Sequence, residues 1–186
     1  MEEIEQKLPK PLVLENLIEN GDFSQGIMEW NSYGSDINSN REIVLDEGAN
    51  VLKIDREETV ATSVFGLSQF HYCELGEKIY LQTVAKGVGS LISEYNVNSG
   101  VNVNSVENYV NVSSILEVKN TKPRRTNIFT HRGNVLYVKT AMFINLTQTF
   151  GAGNEPTKEE MDEIINITGW FDNEYALSNK EMFIAL

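Results

Sequence analysis

The feature that most constrains this chain is a succession of short segments rich in Val, Ile, Thr, Tyr and Phe, separated by clusters of Gly, Asn, Asp and Ser. Residues of the first group favour β-strands, and those of the second favour turns. Because no helical periodicity appears between the segments, the pattern predicts an all-β fold of two stacked sheets, a β-sandwich or jelly roll. The predicted strands span residues 42–45, 51–54, 59–65, 78–85, 91–95, 109–118, 126–130 and 135–146.

The chain divides into three predicted parts. Residues 1–12 form an N-terminal linker, because Pro9 and Pro11 stand too close together for regular strand pairing. Residues 13–150 form the β-sandwich domain. Within it, the Asn- and Val-rich stretch 96–114 is either a solvent-facing strand pair or a long loop. Residues 151–186 form a short C-terminal extension made of a turn, a helix and an aromatic segment.

The helix of the extension is predicted from its first turn. Thr157 and Glu160 have the spacing of a capping box, in which each side chain bonds the backbone N–H of the other residue. Met161, Ile164 and Ile165 then recur at helical spacing, and the helix is expected to end near Gly169. We expect this apolar stripe to dock against the sandwich.

Charge argues against several classes of partner. The formal net charge is −12, whereas binding to nucleic acid depends on Lys and Arg that neutralise phosphates. The sequence has no apolar stretch long enough to span a membrane, and its acidic first residues do not resemble a signal peptide. We therefore expect neither nucleic acid nor membrane as a partner, and synthesis in the bacterial cytoplasm. The one basic cluster is either a solvated face or a contact for an acidic glycan or a partner subunit; it comprises Lys119, Lys122, Arg124, Arg125 and Arg132.

A search for catalytic motifs finds none. His71 and His131 stand in no metal-binding spacing, and the sequence lacks a nucleophile elbow and a phosphate-binding loop. We therefore predict no catalytic residues, no metal ligands and no cofactor. A pair of carboxylates assembled in space would escape this search, so a carbohydrate-active enzyme stays open as an alternative.

Aromatic residues beside amides suggest a binding role instead. Sugar rings stack their C–H faces on aromatic side chains, while their hydroxyls need polar partners. The alternative for each ring is a place in the core or at its rim. The candidate ligand-binding residues are Tyr80, Gln82, Tyr95, Tyr109 and Tyr137.

Two segments resemble the carbohydrate-binding modules of families 4 and 9. The stretch NLIENGDFSQG at 16–26, followed by Glu29 and Trp30, is similar to the opening of those modules. Residues 75–82 with the Ala-Lys-Gly at 85–87 are similar to their central strand. The resemblance implies a galactose-binding-like jelly roll over residues 13–150. Related modules often hold a structural calcium through acids at two positions that here are the neutral Ser24 and Asn145, so we expect no calcium.

A further segment, residues 143–157, resembles a signature in tail, baseplate and receptor-binding proteins of phages and prophages of Gram-positive bacteria. This resemblance implies a structural module of the virion that contacts host cell-surface polysaccharide. Its expected partners are that glycan, other tail subunits and, in a homo-oligomer, copies of itself. The alternative is a purely architectural tail or baseplate domain that binds other subunits only.

Overall fold

The computed structural model describes residues 12–34, 40–58, 65–96, 99–120 and 124–178. Two helices, α1 (Leu146–Phe150) and α2 (Lys158–Thr168), and a 3-10 turn at Glu94–Asn96 accompany the strands. The strands are β1 (Val13–Glu15), β2 (Asn31–Tyr33), β3 (Asn40–Asp46), β4 (Ala49–Asp55), β5 (Phe65–His71), β6 (Lys78–Ser93), β7 (Ser99–Glu117), β8 (Arg124–Thr130), β9 (Val135–Asn145) and β10 (Glu174–Ala176).

A single antiparallel sheet folds over on itself to make the sandwich. Its strand order is β2-β5-β8-β6-β9-β4-β3, and β7 runs along the other edge of β6. Residues 79–87 of β6 pair with β9, whereas residues 90–93 pair with β8. The β6–β7 hairpin therefore belongs to two halves, one with β8, β5 and β2 and the other with β9, β4 and β3. This architecture confirms the predicted all-β jelly roll.

Glycines allow β6 to pass from one half to the other. Gly87 has φ +106°, and a Cβ atom there would lie 2.1 Å from the carbonyl oxygen of Val135. A Cβ at Gly89 would lie 2.5 Å from the carbonyl oxygen of Phe129. Both approaches are shorter than any side chain permits, so the crossover requires residues without a Cβ atom.

The main core lies between the two halves. Leu67 and Ile128 come from one half and Leu52 and Leu136 from the other, and all four are buried. Their burial supplies the main driving force that holds the halves together. The ring of Phe143 also stacks on the imidazole of His71 across the core, with 4.7 Å between ring centroids.

Helix α2 covers part of the outer face of the second half. The predicted capping box is present, and the predicted apolar stripe of Met161, Ile164 and Ile165 is buried against Met142 and Ile144 of β9. These two predictions are confirmed. Strand β10 beyond the helix pairs with β1, so the extension packs on the segment that opens the sandwich. The predicted division at residue 151 stays a prediction.

The structure corrects several predicted strands. Of the strand predicted at 59–65, only Phe65 is described, and it is the first residue of β5; residues 59–64 lie outside the described residues. The strands predicted at 78–85 and 91–95 fall on one strand, β6, because its glycines bend the chain without ending the pairing. This strand ends at Ser93, and residues 94–95 belong to the 3-10 turn. The Asn- and Val-rich stretch is not a long loop. From Ser99 onward it belongs to β7, which pairs with β6.

Two smaller expectations concern the ends of elements. Leu146, predicted as the end of a strand, begins α1, because the Asn145 side chain accepts from the backbone N–H of Gln148 as a helix cap. The predicted linker lies outside the described residues except for Leu12.

Candidate functional site

A row of polar side chains crosses the outer face of the second half. In register, Glu42 of β3 faces Lys53 of β4, Lys53 faces Tyr137 of β9, and Tyr137 faces Lys86 of β6. Successive residues of a strand point to opposite faces, so the inward position of Leu136 places Tyr137 outward. We call this surface the tyrosine face and define it by Asp46, Lys53, Lys86, Tyr109 and Tyr137.

A bulge in β7 brings Tyr109 onto this face. Between the pairs Ala85–Val110 and Gly87–Ser105, the four residues 106–109 of β7 stand opposite the single residue Lys86 of β6. The Tyr109 hydroxyl donates a 2.7 Å hydrogen bond to Oδ2 of Asp46, and its ring centroid lies 4.8 Å from Nζ of Lys86. The bulge thus places two tyrosines beside one lysine.

Charged groups fix the two rings. Nζ of Lys86 lies 5.1 Å from the ring centroid of Tyr137, and Nζ of Lys139 lies 3.8 Å from that of Tyr109. The lysines pair with acids in turn: Lys86 with Asp46, and Lys139 with Glu47 at 2.7 Å. Because such pairs are near the surface, they add little to stability, and their main effect is to orient the rings.

The ionisation state of the face follows from these bonds. Hydrogen bonds from Lys86 and Tyr109 hold the pKa of the Asp46 carboxyl below its usual value. The bond to Asp46 raises the pKa of Lys86. Both groups are therefore charged at neutral pH, and Asp46 is unsuited to act as a general acid. Beside them lies an open depression of about 500 Å³ that is also lined by Val44, Leu45 and Val106.

The structure brings together two of the five predicted ligand-binding residues, Tyr109 and Tyr137. It buries the other three. Tyr80 lies beneath α2 and donates a 2.7 Å hydrogen bond to Asp162, and Tyr95 donates to the backbone carbonyl of His71. Gln82 is also buried on β6. None of these three side chains exposes a surface to a ligand in this structure, and the binding role given to them stays a prediction.

Sequence reasoning missed the charged residues of the face. The alternation in 51–55 signals that Lys53 points away from Leu52, but not which strand lies beside it. No local sequence pattern indicates that Lys86 and Asp46 form an ion pair, because the two residues are 40 positions apart in the chain.

Two other reactive residue types are buried. Burial lowers the pKa of His71 to about 4, so its imidazole is neutral at pH 7. Burial raises the pKa of the Cys73 thiol to about 12, so little thiolate forms. Within the described ranges, no three His, Cys, Asp or Glu side chains form a group that could hold a metal ion. No helix in the same ranges is long and apolar enough to cross a membrane.

The two positions that related modules use for calcium do not fit that ion here. The amide of Asn145 donates a 2.7 Å hydrogen bond to Glu77, and its oxygen accepts from the backbone N–H of Gln148 at 3.1 Å. Ser24 supplies no charge, and its backbone N–H donates to Asp22 at 3.0 Å. Calcium favours several carboxylate ligands, which these neutral residues do not provide.

We therefore predict that a chelator leaves the thermal stability unchanged. Unfolding followed by circular dichroism should give the same Tm, within about 1 °C, with and without excess EDTA, since only a bound ion couples to folding by mass action. A large fall in Tm that added calcium reverses would contradict this expectation.

No protein-family model matches the chain, and the search of curated proteins finds no similar sequence. Among solved structures, a putative sugar binding protein from Bacteroides thetaiotaomicron VPI-5482 matches with 12% identity and TM-score 0.52, over 70% of this chain and 100% of that chain. A cyclase from Fischerella sp. matches with 11% identity and TM-score 0.52, over 72% and 96%.

The enzymatically active domain of tailspike protein 4 from bacteriophage CBA120 matches with 15% identity and TM-score 0.50, over 69% of this chain. This chain spans only 21% of the length of that tailspike chain. Carbohydrate-binding modules, one of them of family 4, are also among the matches. At identities of 11–15% the likeness shows the fold alone, which is the jelly roll that the sequence predicted.

Proposed function

We propose that this chain is a non-catalytic module that binds polysaccharide through the tyrosine face. The observation that carries the proposal is the placement of the partly exposed Tyr109 and Tyr137 around Lys86, beside an open depression. A sugar ring would pack its C–H face on the exposed parts of the rings. Its hydroxyls would accept hydrogen bonds from lysine ammonium groups and donate to Asp46, which is a charged acceptor.

The electrostatics of the face support binding without chemistry. A glycosidase needs one carboxyl that stays protonated near neutral pH, which requires a raised pKa. The pKa of Asp46 is instead lowered by its bonds to Lys86 and Tyr109. The face therefore supplies fixed charges for recognition and lacks the proton donor that glycoside cleavage requires at this position.

We further propose that the module belongs to a phage or prophage tail protein and contacts the surface polysaccharide of a Gram-positive host. The resemblance of residues 143–157 to tail and receptor-binding proteins and the fold shared with a tailspike support this role. Binding at each site would be weak, and the many copies on one virion would multiply it through effective concentration.

A second candidate function is that of an architectural domain, which the apolar rim of the same face favours. Leu45 is 76% exposed and Val106 is 74% exposed, and both line the depression beside the tyrosines. Exposed apolar side chains of this kind often mark contacts with another protein. In that case the face would bind a neighbouring tail subunit.

The replacement of Tyr137 by alanine tests the first candidate. In gels that contain cell-wall polysaccharide from Gram-positive bacteria, the wild type should be retarded. Tyr137→Ala should weaken binding about 3- to 10-fold, the value of one aromatic contact. Tyr137→Phe keeps the ring and should bind like the wild type. Equal retardation of wild type and Tyr137→Ala would exclude this face, and no retardation at all would favour the architectural function.

A further inference from the structure

The outer face of the other half carries a second group of aromatic and polar side chains. Phe70 of β5 faces Arg125 of β8, and Ser68 faces Asn127 on the same two strands. Tyr33 of β2 lies one strand further out, opposite Gly66. These residues point outward, because the intervening Leu67 and Ile128 are in the core. We call this surface the arginine face and define it by Tyr33, Ser68, Phe70, Arg125 and Asn127.

The arginine face presents a platform of rings around one guanidinium. Phe70 is 58% exposed, and its ring centroid lies 5.3 Å from Cζ of Arg125. The ring of Tyr33 lies 5.9 Å from the same atom and 6.0 Å from the ring of Phe129. Gly66, which stands between Tyr33 and Phe129 in the register, leaves room for the tyrosine to approach.

Beneath this platform lie polar atoms without a partner. Oγ of Ser68 and Oδ1 of Asn127 have no hydrogen-bond partner in the described protein, although the residues are 1% and 0% exposed. Nε of Arg125 also lacks a hydrogen-bond partner. Nearly all buried polar side-chain atoms are hydrogen-bonded, and each exception costs about 1–3 kcal/mol. These three unpaired atoms belong to neighbouring positions on one face of the sheet. A ligand that binds there could form hydrogen bonds with them.

Arg125 stands two positions before Asn127 on the same face of β8. Nε of Arg125 lies 3.8 Å from Oε1 of Glu94. The two residues form an ion pair, but this distance is too long for a hydrogen bond. The rings of Phe70 and Tyr33 place the guanidinium instead, at 5.3 and 5.9 Å from its Cζ. Glu94 itself is held in place, because Asn127 Nδ2 donates a 3.2 Å hydrogen bond to it.

We propose that the arginine face is a second carbohydrate-binding site, which takes a neutral sugar ring. The ring packs on Phe70, and its hydroxyls accept from Arg125 and donate to Asn127 Oδ1 and Ser68 Oγ. A hydroxyl is both donor and acceptor, so it matches this mixture of groups. A carboxylate or phosphate could accept from Arg125 but would face the negative charge of Glu94. The inference rests on the proposed function and adds a second face to it.

The positions of the tyrosine face and the arginine face determine how the two could act together. They lie on the outer surfaces of opposite halves of the sandwich, so two polysaccharide segments could bind to one module. Bivalent attachment to a wall of many chains raises the apparent affinity well above that of either face.

The test compares single and double variants in gels that contain xylan, galactan or, as an acidic polymer, polygalacturonate. Phe70→Ala and Arg125→Gln should each weaken the retardation by a neutral polymer about 3- to 10-fold. Tyr137→Ala should leave residual retardation, which the Phe70→Ala/Tyr137→Ala double variant abolishes. Leu75→Ala is the matched control, because Leu75 is equally exposed at 65% but lies on the loop before β6. Circular dichroism of each variant establishes that it is folded.

The outcomes separate this inference from the proposed function. If Tyr137→Ala weakens binding and neither Phe70→Ala nor Arg125→Gln does, the tyrosine face stands and the second site is excluded. The reverse result keeps the arginine face and excludes the tyrosine face. If the wild type binds neither these polymers nor the Gram-positive cell-wall polysaccharide, both proposals fail. Stronger retardation by polygalacturonate than by the neutral polymers, lost in Arg125→Gln, would overturn the assignment of a neutral ligand.

Discussion

The replacement of Asn16 by alanine should lower the free energy of unfolding by about 3–5 kcal/mol, because it removes three buried hydrogen bonds at once. Oδ1 of Asn16 accepts from the backbone N–H groups of Phe143 at 3.0 Å and Ile18 at 3.2 Å. Nδ2 donates to the carbonyl of Phe171 at 3.1 Å. Total stabilities of small domains are about 5–15 kcal/mol, so this single change should remove a large share.

The position of Asn16 explains the size of the effect. Strand β9 pairs with β4 only as far as Val138, and beyond that point its edge needs other partners. Residues 16–21 supply these partners. The N–H of Ala141 donates to the carbonyl of Gly21, and Oδ1 of Asn16 accepts a hydrogen bond from the N–H of Phe143. Alanine leaves the backbone N–H groups of Ile18 and Phe143 buried without acceptors. Water cannot easily take the place of the lost side chain, because residue 16 is only 3% exposed.

Urea denaturation followed by tryptophan fluorescence would measure this loss. Asn166→Ala is the control, since Asn166 is an exposed residue of α2 and its replacement should change stability by less than about 0.5 kcal/mol. A loss below about 1 kcal/mol in Asn16→Ala would show that the segment 16–21 does not close the edge of β9.

The same residue shows what local patterns can and cannot predict. The β-rich segments and the capping box of α2 were visible in the sequence, because each depends on neighbours within a few positions. The role of Asn16 as the partner of Phe143 depends on contact between residues 127 positions apart. No local signal contains that information.

The candidate site was predictable to a similar extent. Tyr80 and Lys86 both lie on β6, and Tyr80 has the alternation of an outward residue, yet α2 covers it with Met161 and Ile164. Tyr95 follows a strand but enters the core through the 3-10 turn at Glu94–Asn96. Composition drew attention to tyrosines beside amides, but only the tertiary packing decides which rings reach the surface.

The second large effect is a loss of stability in mild acid. Between pH 7.5 and pH 5.0 the free energy of unfolding should fall by roughly 2 kcal/mol on account of His71 alone, at about 1.4 kcal/mol for each pH unit below 6.5. Burial against Phe143 lowers the pKa of His71 to about 4 in the folded protein, whereas the unfolded chain has the ordinary value of 6.5. Among the described residues, Nε2 of His71 has no hydrogen-bond partner, so no acceptor would stabilise a proton on this atom.

The direction of the effect follows from the protons bound. Between pH 6.5 and about 4 the unfolded state binds a proton on His71 and the folded state does not. Stability therefore rises with pH through this window and is constant, as far as this group is concerned, above it. Carboxyls with lowered pKa values act in the same direction but at lower pH: the pKa of Glu155 is lowered from 4.5 to about 2, so its contribution is lost as the pH falls through that range.

The replacement of His71 by phenylalanine isolates this contribution. Phenylalanine keeps the ring stacked on Phe143 but cannot be protonated, so His71→Phe should lose most of the pH dependence between 7.5 and 5.0. Urea denaturation at both pH values measures it in each variant. His131→Gln is the control, because His131 is exposed and its replacement should leave the wild-type slope intact. If His71→Phe retains the full slope and His131→Gln loses it, the buried imidazole is not the group that destabilises the sandwich in acid.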